Sequence, residues 1–435
     1  MQFGTDGIRG RAADEVTPEV AYRLGVAVAS VFPNETIFVG YDTRESSLEL
    51  SRATLRGLHG AGARAHNLGV IPTPGVAIIA QERGGAGIVI SASHNPYYDN
   101  GLKVLGRGGS KLSPATEALL QRAFDEASAA PTREVATHEF VIDTSAHRHY
   151  VERLRTLVPA SALEGLHVVL DCANGAASAY ATDVFAGLGA RVTTLHDQPN
   201  GRNINEDCGS TYPEELAQIV VALGADLGLA FDGDADRLIA VDATGTLRDG
   251  DDLMVLFALD REARGLLQHT LVVTSMSNLG LRRAMAEAHI ALVETDVGDR
   301  NILVALEERN LNFGGEQSGH LIFRDLAPTG DGMMTGILLA ELVTRTGPLD
   351  VVANAAWRRL PQRLISIPTA DFTDDVVPSA VDEVCRRHQL EPSDLRLVVR
   401  PSGTEPVVRV MVEADSSYVV DEFCELVAHA CASRE

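Results

Sequence analysis

The sequence predicts an α/β protein: three similar α/β domains followed by a smaller α+β domain. Three observations predict it. A strand–helix–turn–strand pattern occurs three times, at a spacing of about a hundred residues. Its apolar runs are continuous rather than alternating, as in parallel strands covered on both faces. Near residue 362 the pattern gives way to short strands and helices that read as an α+β unit with an antiparallel pair. Length agrees, since 435 residues exceed one ordinary core and imply roughly two to four domains.

The first copy runs Thr36–Tyr41, a helix-period stretch Ser46–His59, the turn Gly60–Gly62, and Ala63–Leu68. The second is His167–Asp171, a helix Ala176–Leu188, Gly189, and Ala190–Leu195. The third is Leu271–Ser275, a helix Asn278–Ala288, and His289–Glu294. Each has the length of a βαβ unit with a parallel pair. The last portion offers Leu364–Ile367, a helix Pro378–His388, the strands Leu395–Arg400 and Val407–Val412, and a closing helix Tyr418–Ala432. Linkers are expected at Asp143–Arg155 (after the helical, Ala-rich Pro114–Ala130) and around Thr244–Asp251, with a third boundary near Ala356–Gln362. The domains expected are residues 1–150, 151–250, 251–358 and 359–435.

Composition excludes several functions. A net charge of −23 argues against nucleic-acid binding and against an anionic membrane surface. Any anionic ligand must therefore be met by basic residues gathered locally. Aromatic content of 5% leaves no stacking platform for single strands. Cys172, Cys208, Cys385, Cys424 and Cys431 are odd in number, scattered and without a C-x-x-C pair. That pattern reads as a reduced, cytoplasmic protein without a zinc site. The start of the chain carries no apolar signal region, and no run approaches a membrane span.

Two stretches carry chemistry. In the first, the apolar strand Ile88–Ile90 runs into a loop with Ser91, Ser93 and a His-Asn-Pro turn, and Lys103 follows ten residues after Ser93. A strand that delivers a hydroxyl into a polar loop can place a nucleophile at a sheet edge, although a serine there is most often a turn residue. No G-x-S-x-G elbow surrounds it. His94 reads as structural rather than as a base, because adjacent side chains often point apart. Lys103 is a point charge suited to phosphate. In the second stretch, Asp232, Asp234 and Asp236 alternate after the apolar strand Asp226–Phe231, at a strand end where α/β sheets place ligands. Three such carboxylates repel unless a cation neutralises them. An EF-hand would need Gly and Glu where Arg237 and Ala243 stand. All-oxygen donors point to Mg²⁺ or Mn²⁺.

Other segments are weaker. Arg400-Pro-Ser-Gly-Thr-Glu-Pro406 joins an arginine, two hydroxyls and a glycine, the makings of an anion nest, and Arg409 on the next strand can face the same ligand. Glu316, Gln317 and Ser318 in Gly314–His320 suit sugar hydroxyls and suit a polar turn equally well. Arg9 in the glycine-rich Phe3–Gly10 belongs either to a surface turn or to a loop that approaches a ligand closely. Asp296–Asn301 and Thr329–Gly332 are polar and otherwise mute. No P-loop and no well-placed G-x-G-x-x-G occur, so no nucleotide is expected.

Taken in order, Phe3–Gly10, Ser91–Pro96, Asp232–Arg237, Gly315–His320 and Arg400–Pro406 resemble the signature of the α-D-phosphohexomutase superfamily across essentially the whole chain. Tyr98–Gly101, Met276–Gly280, Gly315–Ser318 and Thr329–Gly332 are most similar to its bacterial phosphoglucosamine mutase branch. The resemblance implies four domains around a central cleft, the first three with mixed sheets of one design. It implies that Ser93 carries a phosphoryl group and that Asp232, Asp234 and Asp236 hold one Mg²⁺ per subunit, completed by a phosphoserine oxygen. Glu316 and Ser318 would contact sugar hydroxyls. Arg400, Ser402, Gly403 and Thr404, with Arg409 and Arg237, would bind substrate phosphate, and Arg9, Lys103 and His320 would surround the reacting oxygen. The expected reaction interconverts glucosamine 6-phosphate and glucosamine 1-phosphate through a sugar 1,6-bisphosphate, which also serves as activator, and feeds UDP-N-acetylglucosamine and cell-wall synthesis. The expected partner is a small phosphosugar, with no nucleic acid, no membrane, and a homodimer left open. Arg300 is expected in the cleft with the other cations. Asp296 and Asn301 depart from the residues usual in relatives and bear on the geometry of the loop before Arg300.

Three rivals stand beside this reading. One is the same fold acting on mannose or glucose phosphates. Another is a metal-dependent phosphomonoesterase, in which water discharges Ser93. The third is a non-catalytic sugar-phosphate binder, which would need neither Ser93 nor the three aspartates.

Overall fold

The computed structural model describes residues 7–127, 141–369, 372–373, 375–401 and 406–432. The first unit contains β1 (Ile8–Arg11), α1 (Pro18–Val31), β2 (Thr36–Tyr41), α2 (Ser47–Gly60), β3 (Arg64–Val70), α3 (Thr73–Arg83), β4 (Ala86–Ile90), β5 (Asp99–Leu105) and α4 (Pro114–Glu126). The second contains α5 (Thr144–Arg155), β6 (His167–Asp171), α6 (Ala181–Gly187), β7 (Arg191–Leu195), α7 (Glu214–Leu223), β8 (Leu227–Phe231), β9 (Leu238–Asp242) and β10 (Leu247–Arg248). The third contains α8 (Gly250–Ala263), β11 (Thr270–Thr274), α9 (Leu279–Glu287), β12 (Ala291–Thr295), α10 (Asp299–Glu308), β13 (Phe313–Gly315), β14 (Leu321–Phe323), α11 (Gly332–Thr346) and α12 (Leu349–Ala356). The fourth contains β15 (Gln362–Pro368), α13 (Val376–His388), β16 (Arg396–Pro401), β17 (Val407–Glu413) and α14 (Ser417–Ala432).

The first three sheets share one plan. Each has a parallel trio in the order β3-β2-β4, β7-β6-β8 or β12-β11-β13. In each, the last strand of the trio then turns back into an antiparallel partner, β5, β9 or β14. The sheets are therefore mixed. β4, β6, β8 and β9 are buried along their whole lengths, which explains their unbroken apolar sequences. The turn at the end of each parallel trio falls at 91–98, 232–237 and 316–320. Those are the three loops in which the sequence placed chemistry. The fourth unit is a three-stranded antiparallel sheet, β15-β17-β16, covered by α13 and α14.

One apolar core runs from Phe38 and Leu68 of the first unit through Phe185 and Phe231 to Phe313 and Trp357 of the third. The fourth unit has its own core, Ile367 to Cys431. All five cysteines are buried. Among the described residues no helix is long and apolar enough to cross a membrane.

Two sequence expectations change. Asp143–Arg155 is not a linker but α5: Asp143 accepts the Ser145 N–H at its N-cap, and Tyr150 and Leu154 are fully buried. The apolar spacing of Ala146, Tyr150 and Leu154 supplies a buried stripe that holds the helix against the core. Thr244–Asp251 does carry the chain from the second unit to the third, and it is ordered, because Asp242 accepts the N–H groups of Thr244 and Thr246 and Asp249 caps α8 with a capping box. The helix expected over Ala176–Leu188 is broken into a short 3₁₀ turn, Ala176–Ala179, and α6. Tyr180 leaves helical geometry at the break, with its hydroxyl donating to the Val70 carbonyl at 2.6 Å and its ring against Tyr150.

Candidate active site

The β4–β5 and β8–β9 turns meet. Ser93, at φ 52°, donates its hydroxyl to Asp232 Oδ2 at 2.6 Å. Asp232, Asp234 and Asp236 bring one carboxylate oxygen each within 4.8 Å of one another, and all three are buried. Asp234 also accepts the Thr73 hydroxyl at 2.6 Å, from the N-terminus of α3. Lys103 reaches in from β5, its Nζ 3.2 Å from Asp234 and 3.8 Å from Asp236. The Arg237 N–H donates to Asp232, and its side chain lies 3.8 Å from Asp236.

Burial and the neighbouring carboxylates of Asp236 and Asp234 push the Asp232 pKa well above its ordinary value. Burial also opposes charge on Asp236, but His320, Lys103 and Arg237 overcome it and hold Asp236 well below the usual range. Asp234 Oδ1 and Asp236 Oδ1 are buried and find no hydrogen-bond partner among the described residues. Such oxygens, together with an adjacent hydroxyl oxygen, fit a hard divalent cation bound through oxygen.

His320 is buried between two carboxylates, with Nδ1 3.6 Å from Asp236 and Nε2 3.8 Å from Asp299. Burial disfavours its charge, yet Asp236, Asp299 and Glu316 raise its pKa above the ordinary value. Asp299 also pairs with Lys111. His94 does not point away: its Nδ1 lies 3.4 Å from Ser93 Oγ. Burial, Arg237 and Arg9 lower its pKa to about 4, so it is neutral near pH 7 and a weak base there. That effect also places Arg9, on β1 opposite Gly101, beside the same turn.

The β13–β14 turn leans on this cluster. Its Gly319 carbonyl accepts from the Leu238 N–H at 3.1 Å, next to Arg237. Glu316 accepts the Gly298 N–H at 2.8 Å, and Ser318 is exposed. Arg400 and Arg409 face each other across β16 and β17 on the fourth unit. Like charges directly opposite repel, and an anion between them relieves this. Ser402, Gly403 and Thr404 lie outside the described residues. Arg300, expected in the cleft, pairs with Glu117 of α4 through Nη1 at 2.8 and 2.9 Å. Asn301 donates to the carbonyls of Asp296 and Val297 and closes that loop from within.

Sequence reasoning missed Asp42, Arg44, Thr73, Asp299 and Asn205. Asp42 and Arg44 carried a signal, since a charged pair directly follows the apolar β2. Arg44 is buried, pairs with Asp42 at 2.8 Å, and donates to the carbonyls of Ser93, Asn95, Pro96 and Asp99. Asp42 in turn accepts the Ser91 hydroxyl, and Ser91 Oγ accepts the Ser93 N–H. The others had no local signal. A second ligand-type cluster, Asp171, His196 and Cys208, was not foreseen either. There Asp171 accepts the N–H groups of Ala173 and Gly209, and His196 sits between Asp171 and Glu215.

The sequence matches the four domain descriptions of one family: phosphoglucomutase/phosphomannomutase alpha/beta/alpha domain I over residues 1–130, domain II over 148–245, domain III over 249–360 and the C-terminal domain over 392–430. The chain belongs to the phosphoglucomutase/phosphomannomutase family. Membership makes it a mutase, an isomerase. Curated relatives in this family include the phosphoglucosamine mutase of Shouchella clausii, 44% identical over 98% of this chain and 96% of the relative. That of Salinispora arenicola is 43% identical over 98% and 97%. A Burkholderia thailandensis phosphoglucomutase/phosphomannomutase family protein has the same fold, with a TM-score of 0.80 at 24% identity over 99% of this chain and 96% of its own. So does an Aspergillus fumigatus N-acetylphosphoglucosamine mutase solved with GlcNAc-6P and magnesium, at TM-score 0.66 and 19% identity over 99% and 95%.

Proposed function

We propose that this family member interconverts glucosamine 6-phosphate and glucosamine 1-phosphate through phospho-Ser93 and a glucosamine 1,6-bisphosphate. The observation that carries the reading is the Ser93 hydroxyl, 2.6 Å from one of three clustered aspartates with Lys103 beside them. Full-length similarity to phosphoglucosamine mutases supports the choice of sugar.

Asp232, Asp234, Asp236 and a phosphoserine oxygen would hold Mg²⁺, which when bound neutralises charge on the phosphoryl oxygens. The chain's own residues do the rest. The Ser93 Oγ–P bond breaks as a bond forms from phosphorus to the free sugar hydroxyl. After the bisphosphate turns end for end, Ser93 takes the other phosphoryl group, and the hydroxyl protons lost and regained cancel. Arg9 and Lys103 supply fixed positive charge around the reacting oxygen, and His320 stands beside them between Asp236 and Asp299. Glu316 and Ser318 orient the sugar. Arg400 and Arg409, with Ser402, Gly403 and Thr404, grip the phosphate that stays, and Arg237 would assist in binding substrate phosphate. One grip for both orientations explains why phosphate recognition sits on a separate unit.

The test is phosphorus NMR of the protein with Mg²⁺, a trace of sugar bisphosphate and glucosamine 6-phosphate. A growing glucosamine 1-phosphate signal supports the reading. Inorganic phosphate alone would replace it with a phosphomonoesterase, and turnover only with mannose or glucose phosphates would change the sugar.

A further inference from the structure

Ser93 is held in a left-handed conformation that non-glycine residues rarely adopt. Its side-chain anchor is the hydroxyl proton given to Asp232. A phosphoserine has no such proton, because Oγ is then an ester oxygen. In the loaded state a phosphoryl oxygen would reach the aspartates only by way of a bound cation, and the direct protein contacts left to Ser93 are those of its backbone. Its N–H is bound by Ser91 Oγ at 2.9 Å. Its carbonyl is bound twice, by Arg44 Nη2 at 2.9 Å from the first unit and by Asn205 Nδ2 at 2.9 Å from the second. The Asn95 carbonyl repeats the arrangement, with Arg44 at 2.8 Å and Asn205 at 3.1 Å.

Asn205 is placed with care. It is buried, sits at φ 56°, and its N–H donates to the Ala173 carbonyl at 2.9 Å. Asn tolerates that backbone region better than most residues. Its own loop is tied to the first unit where Thr43 donates to the Asn174 carbonyl at 2.6 Å and Glu45 to the Gly201 carbonyl at 2.9 Å. The amide points both donor contacts at the Ser93 turn and leaves Oδ1 buried with no partner among the described residues. An arrangement that served stability alone would satisfy that oxygen. Gly233 of the aspartate turn completes the contact, for a Cβ there would lie 2.6 Å from the Ser93 carbonyl and 2.9 Å from Asn205 Nδ2. Asn205, Gly233 and the three aspartates thus belong to one unit, and Ser93 to the other.

We propose that Asn205 is a positioning residue: it locks the Ser93 backbone to the aspartate unit, so that the phosphoryl group stays aligned when the hydroxyl bond to Asp232 is absent. The inference rests on the reading of Ser93 as the phosphoryl carrier. Asn205 touches neither the phosphoryl group nor sugar in this role. It acts through Ser93.

The test uses two variants of the full-length protein. Asn205→Gly keeps the backbone conformation and deletes the amide. Asn205→Asp keeps the shape and turns a donor toward the carbonyls into an acceptor. Misplacing a reacting group by about 1 Å costs roughly 10²-fold in rate. We expect kcat to fall by that order in both variants, with KM for the sugar phosphate within about twofold and thermal unfolding little changed. Single-turnover phosphorylation of Ser93 by glucose 1,6-bisphosphate, followed by intact mass, should slow in parallel. Crystal structures of the variants should show Ser93 out of the left-handed region or its Oγ withdrawn from Asp232. If kcat per folded molecule is unchanged, or Ser93 keeps its place in both variants, the inference is overturned. Should the wild type take up phosphate but not isomerise glucosamine 6-phosphate, the function reading fails while the phosphorylation rates and variant structures still decide the role of Asn205.

Discussion

Ser93 is polar yet almost fully inaccessible, and its hydroxyl faces a carboxylate rather than water. Such a group can act only on a ligand brought to it. Replacing it with Ala should reduce turnover to background while calorimetry still shows phosphosugar binding; full activity in Ser93→Ala would end the phosphoserine mechanism. Gly330 gives a subtler test. A Cβ there would lie 2.6 Å from His320 Nε2, against a ring already held between Asp236 and Asp299. Gly330→Ala must push the imidazole off those carboxylates, and we expect roughly a tenfold to hundredfold loss in kcat with the fold intact. Nothing local in Thr329-Gly-Asp-Gly332 reveals this, because the partner ring is brought to it only by the chain folding back.

At the scale of elements, α5 and α11 are joined by a buried hydrogen bond from the Tyr150 hydroxyl to Asp331, which also caps α11 through the Met334 N–H. Burial pushes Asp331 up to about 6. An unfolded Asp titrates at about 3.9, so folding favours the protonated form. That contribution to stability is whole below about pH 3.9 and is lost as pH rises through about 6. Asp331→Asn imitates the protonated acid. We expect it to be more stable than the wild type by roughly 1–3 kcal/mol near pH 8, with the gap closing toward about pH 4, as read by denaturant unfolding across that range. The sequence of this helix, Thr144–Arg155, reads as a linker because it is strongly polar. Its buried stripe of Ala146, Tyr150 and Leu154 is narrow, and only the core it meets explains it.

Across the whole molecule, function lies where units meet. The three α/β units share one core, so their turns are held in fixed relation. The fourth has a separate core and is joined to the third through polar contacts, including Leu279 N–H to Glu413, Arg396 to the Ser277 carbonyl, and Asn278 with Leu360. On the proposed function, motion between the third and fourth units would let Arg400 and Arg409 approach the aspartates. On the proposed function, the aspartate cluster would couple cation binding to stability. A cation present at about a hundred times its Kd stabilises a fold by about 2.7 kcal/mol. We expect the melting temperature to rise with added Mg²⁺ and fall with chelator, and the response to disappear in Asp234→Asn.

By itself the sequence determined the α/β class, the repeated strands and the loops that carry chemistry. Continuous apolar runs, alternating aspartates and glycine-rich turns are local patterns with local physical causes. Tertiary structure decided everything that needs two distant segments at once. It showed that the three reactive loops occupy the same turn of one repeated sheet plan, that Arg300 pairs with Glu117 of another unit, and that Asp299 sits across His320 from Asp236. It also decided that Arg44 and Asn205 converge on the same two carbonyls. The energy of a buried charge or an amide depends on what surrounds it, and for these residues the surroundings come from other units of the chain.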